Sequence, residues 1–197
     1  MKTLNITLIL LLFISLSCKA QSPIINIEDD EGDEIVNAYY KDTNNLLDPF
    51  VGTWVLDDGV QYLKIVFEKK EMVDAGNYYE DLLIGEFQYK ENGVELVNTL
   101  NKLTESLEYE YHHSIHGNYI KTHYSPFDEY TSDNFRISLI MGEPTGRASS
   151  LDVRTTIVDG QPAIQIFKRG GIKVLEPGET QSSQPIIPDG FYFLKQE

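Results

Sequence analysis

Cysteine is almost absent from this chain: Cys18 is the only one in 197 residues. A lone thiol excludes an intramolecular disulfide. Basic residues are scarce too. The 16 Lys+Arg stand against 31 Asp+Glu, a net charge of −15. So acidic a body repels phosphates and anionic headgroups, which argues against nucleic acid as a partner; its plainest consequence is solubility. Catalytic signatures are missing as well. There is no G-x-S-x-G elbow and no H-E-x-x-H pair. Carboxylate neighbours such as Glu80-Asp81 and Asp128-Glu129 are what so many acids produce without selection for a site. No catalytic residue and no cofactor is expected, and the protein reads as non-enzymatic.

One apolar run stands out, "ITLILLLFISL" from Ile6 to Leu16, preceded by Lys2. It is too short to span a bilayer, which takes about 20 apolar residues, and it has the form of an export signal. Residues 1–17 are therefore expected to be a signal peptide. In "SLSCKAQ" a lipoprotein peptidase would cut before Cys18 and leave that thiol as the lipid attachment site. An ordinary signal peptidase would instead cut after Ala20. The first cut places the protein in the cell envelope as an outer-membrane lipoprotein facing periplasm or surface, held to the membrane by its lipid. The second leaves it periplasmic or secreted.

Residues 18–47 are expected to be a flexible acidic tether, since Glu28 to Glu34 are acidic except for Gly32. Within it, "EIVNAYYKDTNN" suggests a short helical turn with Ile35, Val36 and Tyr39 on one side. From Phe50 the hydrophobic period becomes two. Leu63, Ile65 and Phe67 share one face; so do Tyr79, Leu83, Phe87 and Tyr89; so do Phe135, Ile137, Leu139 and Met141, and then Leu151, Val153 and Ile157. "AIQIFK" and "GFYFLKQ" add two more runs. Turn signals separate them: Asp58-Gly59, Asn92-Gly93, "HGN" at 116–118, "GEPTG" at 142–146 and Asp159-Gly160. No sustained helical stripe interrupts the series. Residues 48–197 are expected to form a single all-β, antiparallel domain of about eight to ten strands.

Gly52 and Trp54 choose between sandwich and barrel. "DPFVGTWV" puts a glycine at the head of the first strand and the chain's only tryptophan two residues on, with the spacing needed to bend into a barrel and plug its end. This triplet resembles the Gly-x-Trp opening of lipocalin and fatty-acid-binding (calycin) barrels, which implies a calycin-like β-barrel. Gly52 and Trp54 then become barrel-closing or ligand-binding residues, and a small apolar or amphipathic ligand is the implied partner. More of the chain, "LDPFVGTWV", "YYEDLLIGEFQYKENGVELVNTL", "HGNYI" and "IPDGFYFLKQ", resembles an uncharacterised family of exported putative lipoproteins from Bacteroidetes. That resemblance implies envelope location and a β domain of unknown function, and no catalytic residue.

All four histidines fall in "YHHSIHGNYIKTHY": His112, His113, His116 and His123. His112 and His116 are the pair a zinc ion could share, but the alternating, tyrosine-rich setting favours plain imidazoles on a strand edge. Tyrosines suit either ordinary strand faces or a half-wet surface that grips sugars or peptides. Two functions follow. One is a ligand carrier with a hollow barrel. The alternative is an envelope structural or interaction module, its barrel filled, with protein or glycan contacts on its loops.

Overall fold

A computed structural model describes residues 22–29, 32, 34–121, 135–170 and 185–197. Among these there is no α-helix, and all structure is strand, turn and short 3₁₀ segments. The strands are β1 (Ile24–Asn26), β2 (Tyr39–Lys41), β3 (Gly52–Asp57), β4 (Gln61–Asp74), β5 (Tyr79–Glu91), β6 (Val94–Asn98), β7 (Ile115–Lys121), β8 (Arg136–Gly142), β9 (Ala148–Val158), β10 (Gln161–Arg169) and β11 (Gly190–Gln196).

Eight of them close into an antiparallel barrel in the order β3-β4-β5-β7-β8-β9-β10-β11. The last strand returns to the first through Lys195↔Val55 and Gln196↔Trp54. The other closing seam is short: β5 meets β7 only at Leu83↔Gly117, Ile84↔His116 and Gly85↔Ile115. Either side of that seam the same edge of β5 is taken by other partners. β2 joins it in parallel at Tyr79 and Glu80, and β6 joins it from Gln88 to Glu91. No stretch of this long strand is left as an open edge, which removes a template for aggregation.

The period-two pattern supplies the interior. Leu63, Ile65, Phe67, Leu83, Phe87, Tyr89, Ile137, Leu139, Met141, Leu151 and Val153 are all buried. A closed barrel of eight strands is just wide enough for side chains to fill it or for one small ligand to enter, and here the inward side chains pack together as one core. The void bounded by Leu63, Ile65, Met141, Leu151, Ile166, Lys168, Ile187 and Tyr192 measures about 10 Å³. At one end of the barrel Trp54 is 3% exposed, and its Nε1 donates to the Phe50 carbonyl at 2.7 Å. Phe50 in turn meets the edge of Phe135 at 6.0 Å.

Two glycines make room for this packing. Phe67 lies against Gly85, where a Cβ would stand 2.6 Å from Phe67 Cδ1 and 3.1 Å from the Val66 carbonyl. Gly117 has φ +149° at a bulge between His116 and Tyr119, with the Ser138 carbonyl 3.0 Å from a Cβ placed there. The expected "HGN" turn is thus a kink inside β7, because a bulge uses glycine's freedom much as a turn does. The Asn92-Gly93 and Asp159-Gly160 turns do join adjacent strands, with both residues of each at positive φ.

Three further expectations fail. Against a solvated tether over 18–47, part of the described chain there docks on the barrel, though much of it stays exposed. β1 pairs with β2 and β2 with β5, burying Ala38, Tyr40 and Leu47 in the main core. What the acidic composition concealed is Asp42, a buried carboxylate that gathers local groups. It accepts from the amides of Leu46 (2.7 Å) and Leu47 (2.9 Å) and from Lys69 Nζ (2.8 Å). The helical turn is not formed either: Ile35 and Val36 are exposed and the chain turns at Asn37, φ 61°, into β2. Finally, Ile157 is 73% exposed despite its alternation, because it lies next to the 159–160 hairpin turn, opposite Pro162.

Gly85→Ala forces a methyl into the Phe67 ring. Overpacking of this kind costs about 1–3 kcal/mol. Urea denaturation should show a loss of that order, and an unchanged midpoint would mean that Phe67 does not lie against Gly85.

Candidate functional site

Strand β5 carries apolar side chains on consecutive positions: Leu82, Leu83 and Ile84 are all buried. Leu83 faces the main core, while Leu82 and Ile84 join a second cluster with Val73, against which Leu103 and Tyr111 pack. Residues 99–114, two short 3₁₀ segments and their connection, therefore lie over the outside of the barrel. They are tied down by Thr99, whose amide donates to the Phe87 carbonyl at 2.9 Å, and by Glu86. Glu86 is completely buried; its Oε1 accepts from the Ser114 amide at 3.0 Å and sits 2.9 Å from His113 Nδ1. His113 Nε2 reaches Glu110 at 3.4 Å, so the ring spans two carboxylates. Glu86 Oε2 has no hydrogen-bond partner among the described residues.

Where this outer layer ends, an external trough begins. One depression of about 620 Å³ runs over Gly117, Leu82 and Leu139 between Tyr111, Tyr119 and Ile140, with Glu80, Asn118, Ser138, Ser149 and Ser150 supplying polar groups. A second, of about 540 Å³, continues over Asn98, Asn101, Lys102 and His112. The two share Tyr111, His116, Ile140 and Ala148, so they are one continuous surface. The walls are open: Tyr119 is 60% and Ile140 53% exposed. The polar end is prearranged. Asn118 Nδ2 donates to Glu80 Oε2 at 2.7 Å and to the Asp81 carbonyl at 2.9 Å, and the Tyr111 hydroxyl donates to Glu80 Oε1. Ser149 Oγ, buried at the trough, has no partner among the described residues. Such a surface can stack on a ring or a chain and offer it hydrogen bonds.

The residues singled out from sequence are scattered. Cys18, the two cleavage sites and His123 lie outside the described residues. Gly52 and Trp54 are at the barrel end, Gly52 with φ +134°. They share no lining with the trough. His112 and His116 both line the second depression but are engaged separately: His112 stands edge-on to Tyr109 at 5.3 Å, and His116 to Tyr111 at 5.7 Å, with His116 Nδ1 3.2 Å from the His113 carbonyl oxygen. No group of three His, Cys, Asp or Glu is arranged to hold a metal among the described residues. Glu86 was missed, Tyr111 was noted only as one of many tyrosines, and Gly117 was read as a turn rather than a bulge. The signal for them was "LLI" in β5, since consecutive apolar residues in a strand mean that both faces are covered.

Fold and surface together define a closed antiparallel barrel whose inward side chains pack as one core, with a large concave surface on its outer wall. The chain belongs to a family of unknown function (DUF6705), whose model matches residues 1–196. Neither the curated proteins nor the solved structures include a match to it.

Burial, followed by the hydrogen bond to Glu80 and that carboxylate's charge, holds the Tyr111 phenol well above its ordinary value of 10.0. Burial and Asp81 do the same to Tyr39. The folded state therefore keeps these protons more tightly than the unfolded chain. Their stabilisation is complete below the ordinary phenol value and is lost as pH rises above it. Urea midpoints measured from about pH 9 to about pH 11 should fall, and Tyr111→Phe should fall less steeply. Parallel curves for the two proteins would show that Tyr111 is not held in this way.

Proposed function

We propose that this protein is an exported, non-enzymatic envelope module that binds a neutral glycan in the external trough. One observation carries the reading. The void among the inward side chains around Lys168 holds about 10 Å³, against roughly 300–1,000 Å³ for small-molecule pockets, while the outer wall offers a depression of about 620 Å³. A carrier needs room inside; an interaction module does not.

The chemistry of the trough favours a sugar. Tyr111 and Tyr119 offer ring faces for the apolar face of a pyranose, and Asn118, Ser138, Ser149 and Ser150 offer hydrogen-bonding groups beside them. The net charge of −15 disfavours an anionic ligand. Export and anchoring rest on the leader: the Ile6–Leu16 run and the lone Cys18, separated from it by one residue.

Titration calorimetry with neutral gluco-, xylo- and chito-hexaoses tests the binding. At least one should bind, and Tyr119→Ala should weaken it about tenfold, or about 1.4 kcal/mol, with the urea midpoint unchanged. No heat from any of them, or binding indifferent to Tyr119, sinks the glycan reading. Anchoring is tested by Triton X-114 partition. The wild type should enter the detergent phase and Cys18→Ala the aqueous phase; a wild type already aqueous refutes the lipid.

A further inference from the structure

Lys168 points into the barrel. It follows Ile164 and Ile166 on the inward face of β10, and its side chain is 1% exposed, against Leu63, Ile65, Met141, Leu151, Ile166 and Tyr192. Ammonium groups are rarely placed so deep unless they are paired. Two carboxylates reach it. Asp189 Oδ1 is 3.0 Å from Nζ, and Glu143 Oε1 is 3.5 Å from it. Glu143 is itself wholly buried and held from the far side, accepting from the Ile186 amide at 2.8 Å and the Ile187 amide at 3.3 Å. Asp189 is fitted too. Its Oδ2 lies against Gly170, so close that a Cβ there would stand 2.5 Å away. Tyr192 donates its hydroxyl hydrogen bond to the Pro188 carbonyl, pinning the preceding residue.

We propose that Lys168 and Asp189 become joined by an amide bond that the folded chain forms on itself, with Glu143 as the proton carrier. The amine is the nucleophile, and the Asp189 carbonyl carbon lies one C–O bond beyond the oxygen it already touches. The reaction needs an uncharged amine and a protonated acid. Transfer of one proton from Nζ to the carboxyl provides both. Nζ adds to Cγ, Glu143 takes the second proton from nitrogen, and the same proton passes to the departing hydroxyl. One N–C bond forms, one C–O bond breaks, and water leaves. Nothing is oxidised or reduced, and no co-reactant is needed. The Asp189 side chain is 43% exposed, which gives the water a way out. Fixing the three groups in one geometry supplies the effective concentration that amide formation lacks in free solution. The product ties the end of β10 to the start of β11 across the 169–188 connection. For a chain with one cysteine, it is a covalent staple that needs no disulfide.

Peptide mapping of the full-length wild type decides the matter. After denaturation and trypsin digestion, the peptide 155–169 should appear joined to the peptide 174–195. The pair should be lighter than their sum by one water, with no cleavage after Lys168. Lys168→Arg should give the two regions unlinked, and Glu143→Gln should give mostly unlinked peptides at full mass. Asp189→Asn should still link by losing ammonia, giving a product of the same mass as the wild type. Two separate wild-type peptides of full mass, with ordinary cleavage after Lys168, would overturn the proposal and leave an ion pair only. Linkage in Glu143→Gln at wild-type yield would overturn the role given to Glu143.

Discussion

Everything in this molecule depends on how little space a barrel of eight strands encloses. Phe67 packs over its neighbour-strand partner Gly85, where a side chain would collide with its ring, and Trp54 is buried with its indole nitrogen donating to the Phe50 carbonyl. With the inward side chains packed as one core, the proposed recognition falls on the wall. The wall is suited to it because β5 is covered on both faces. The layer that covers Leu82 and Ile84 also raises Tyr111 beside the Gly117 bulge, and between them the trough opens.

Buried carboxylates organise the irregular parts around that core. Asp42 collects the amides that lead into β3. Asp81 accepts from the Asp42 and Met72 amides, at 3.0 and 3.1 Å. Glu86 holds the Ser114 amide and faces His113, and Glu143 holds Ile186 and Ile187. Each fixes a stretch of chain that no ladder hydrogen bonds would hold. A hydrogen bond to an ionised carboxylate is about twice as strong as a neutral one, and removing the carboxylate would leave buried donors unsatisfied. An acidic protein can therefore use its charge inside as well as for solubility.

Much of the barrel was legible from period two alone. Leu63, Ile65 and Phe67, or Ile137, Leu139 and Met141, alternate because one face of each strand meets the core, and Asn92-Gly93 reads as a tight turn because both residues accept positive φ. The docked segment before β3 was not legible. Its strands are three residues long, too short for any period, and Asp42 and Asp81 look like the solvated acids around them. The trough was hidden for another reason. Its residues come from β5, the 99–114 layer, β7, β8 and β9, and only the β5–β7 seam brings them together. Gly117 was noticed, but a bulge and a turn ask the same of glycine. Lys168 gave itself away least: it continues the face of Ile164 and Ile166, but a lysine at the end of a strand is ordinarily read as facing water.

The central claim, that the barrel is filled and works from outside, is tested most directly by titrating the protein with a fluorescent polyene fatty acid while following Trp54, the only tryptophan. A filled barrel predicts no saturable binding and a blue-shifted Trp54 emission that stays constant throughout. One-to-one binding, with Trp54 emission lost to energy transfer as the fatty acid lights up, would contradict it.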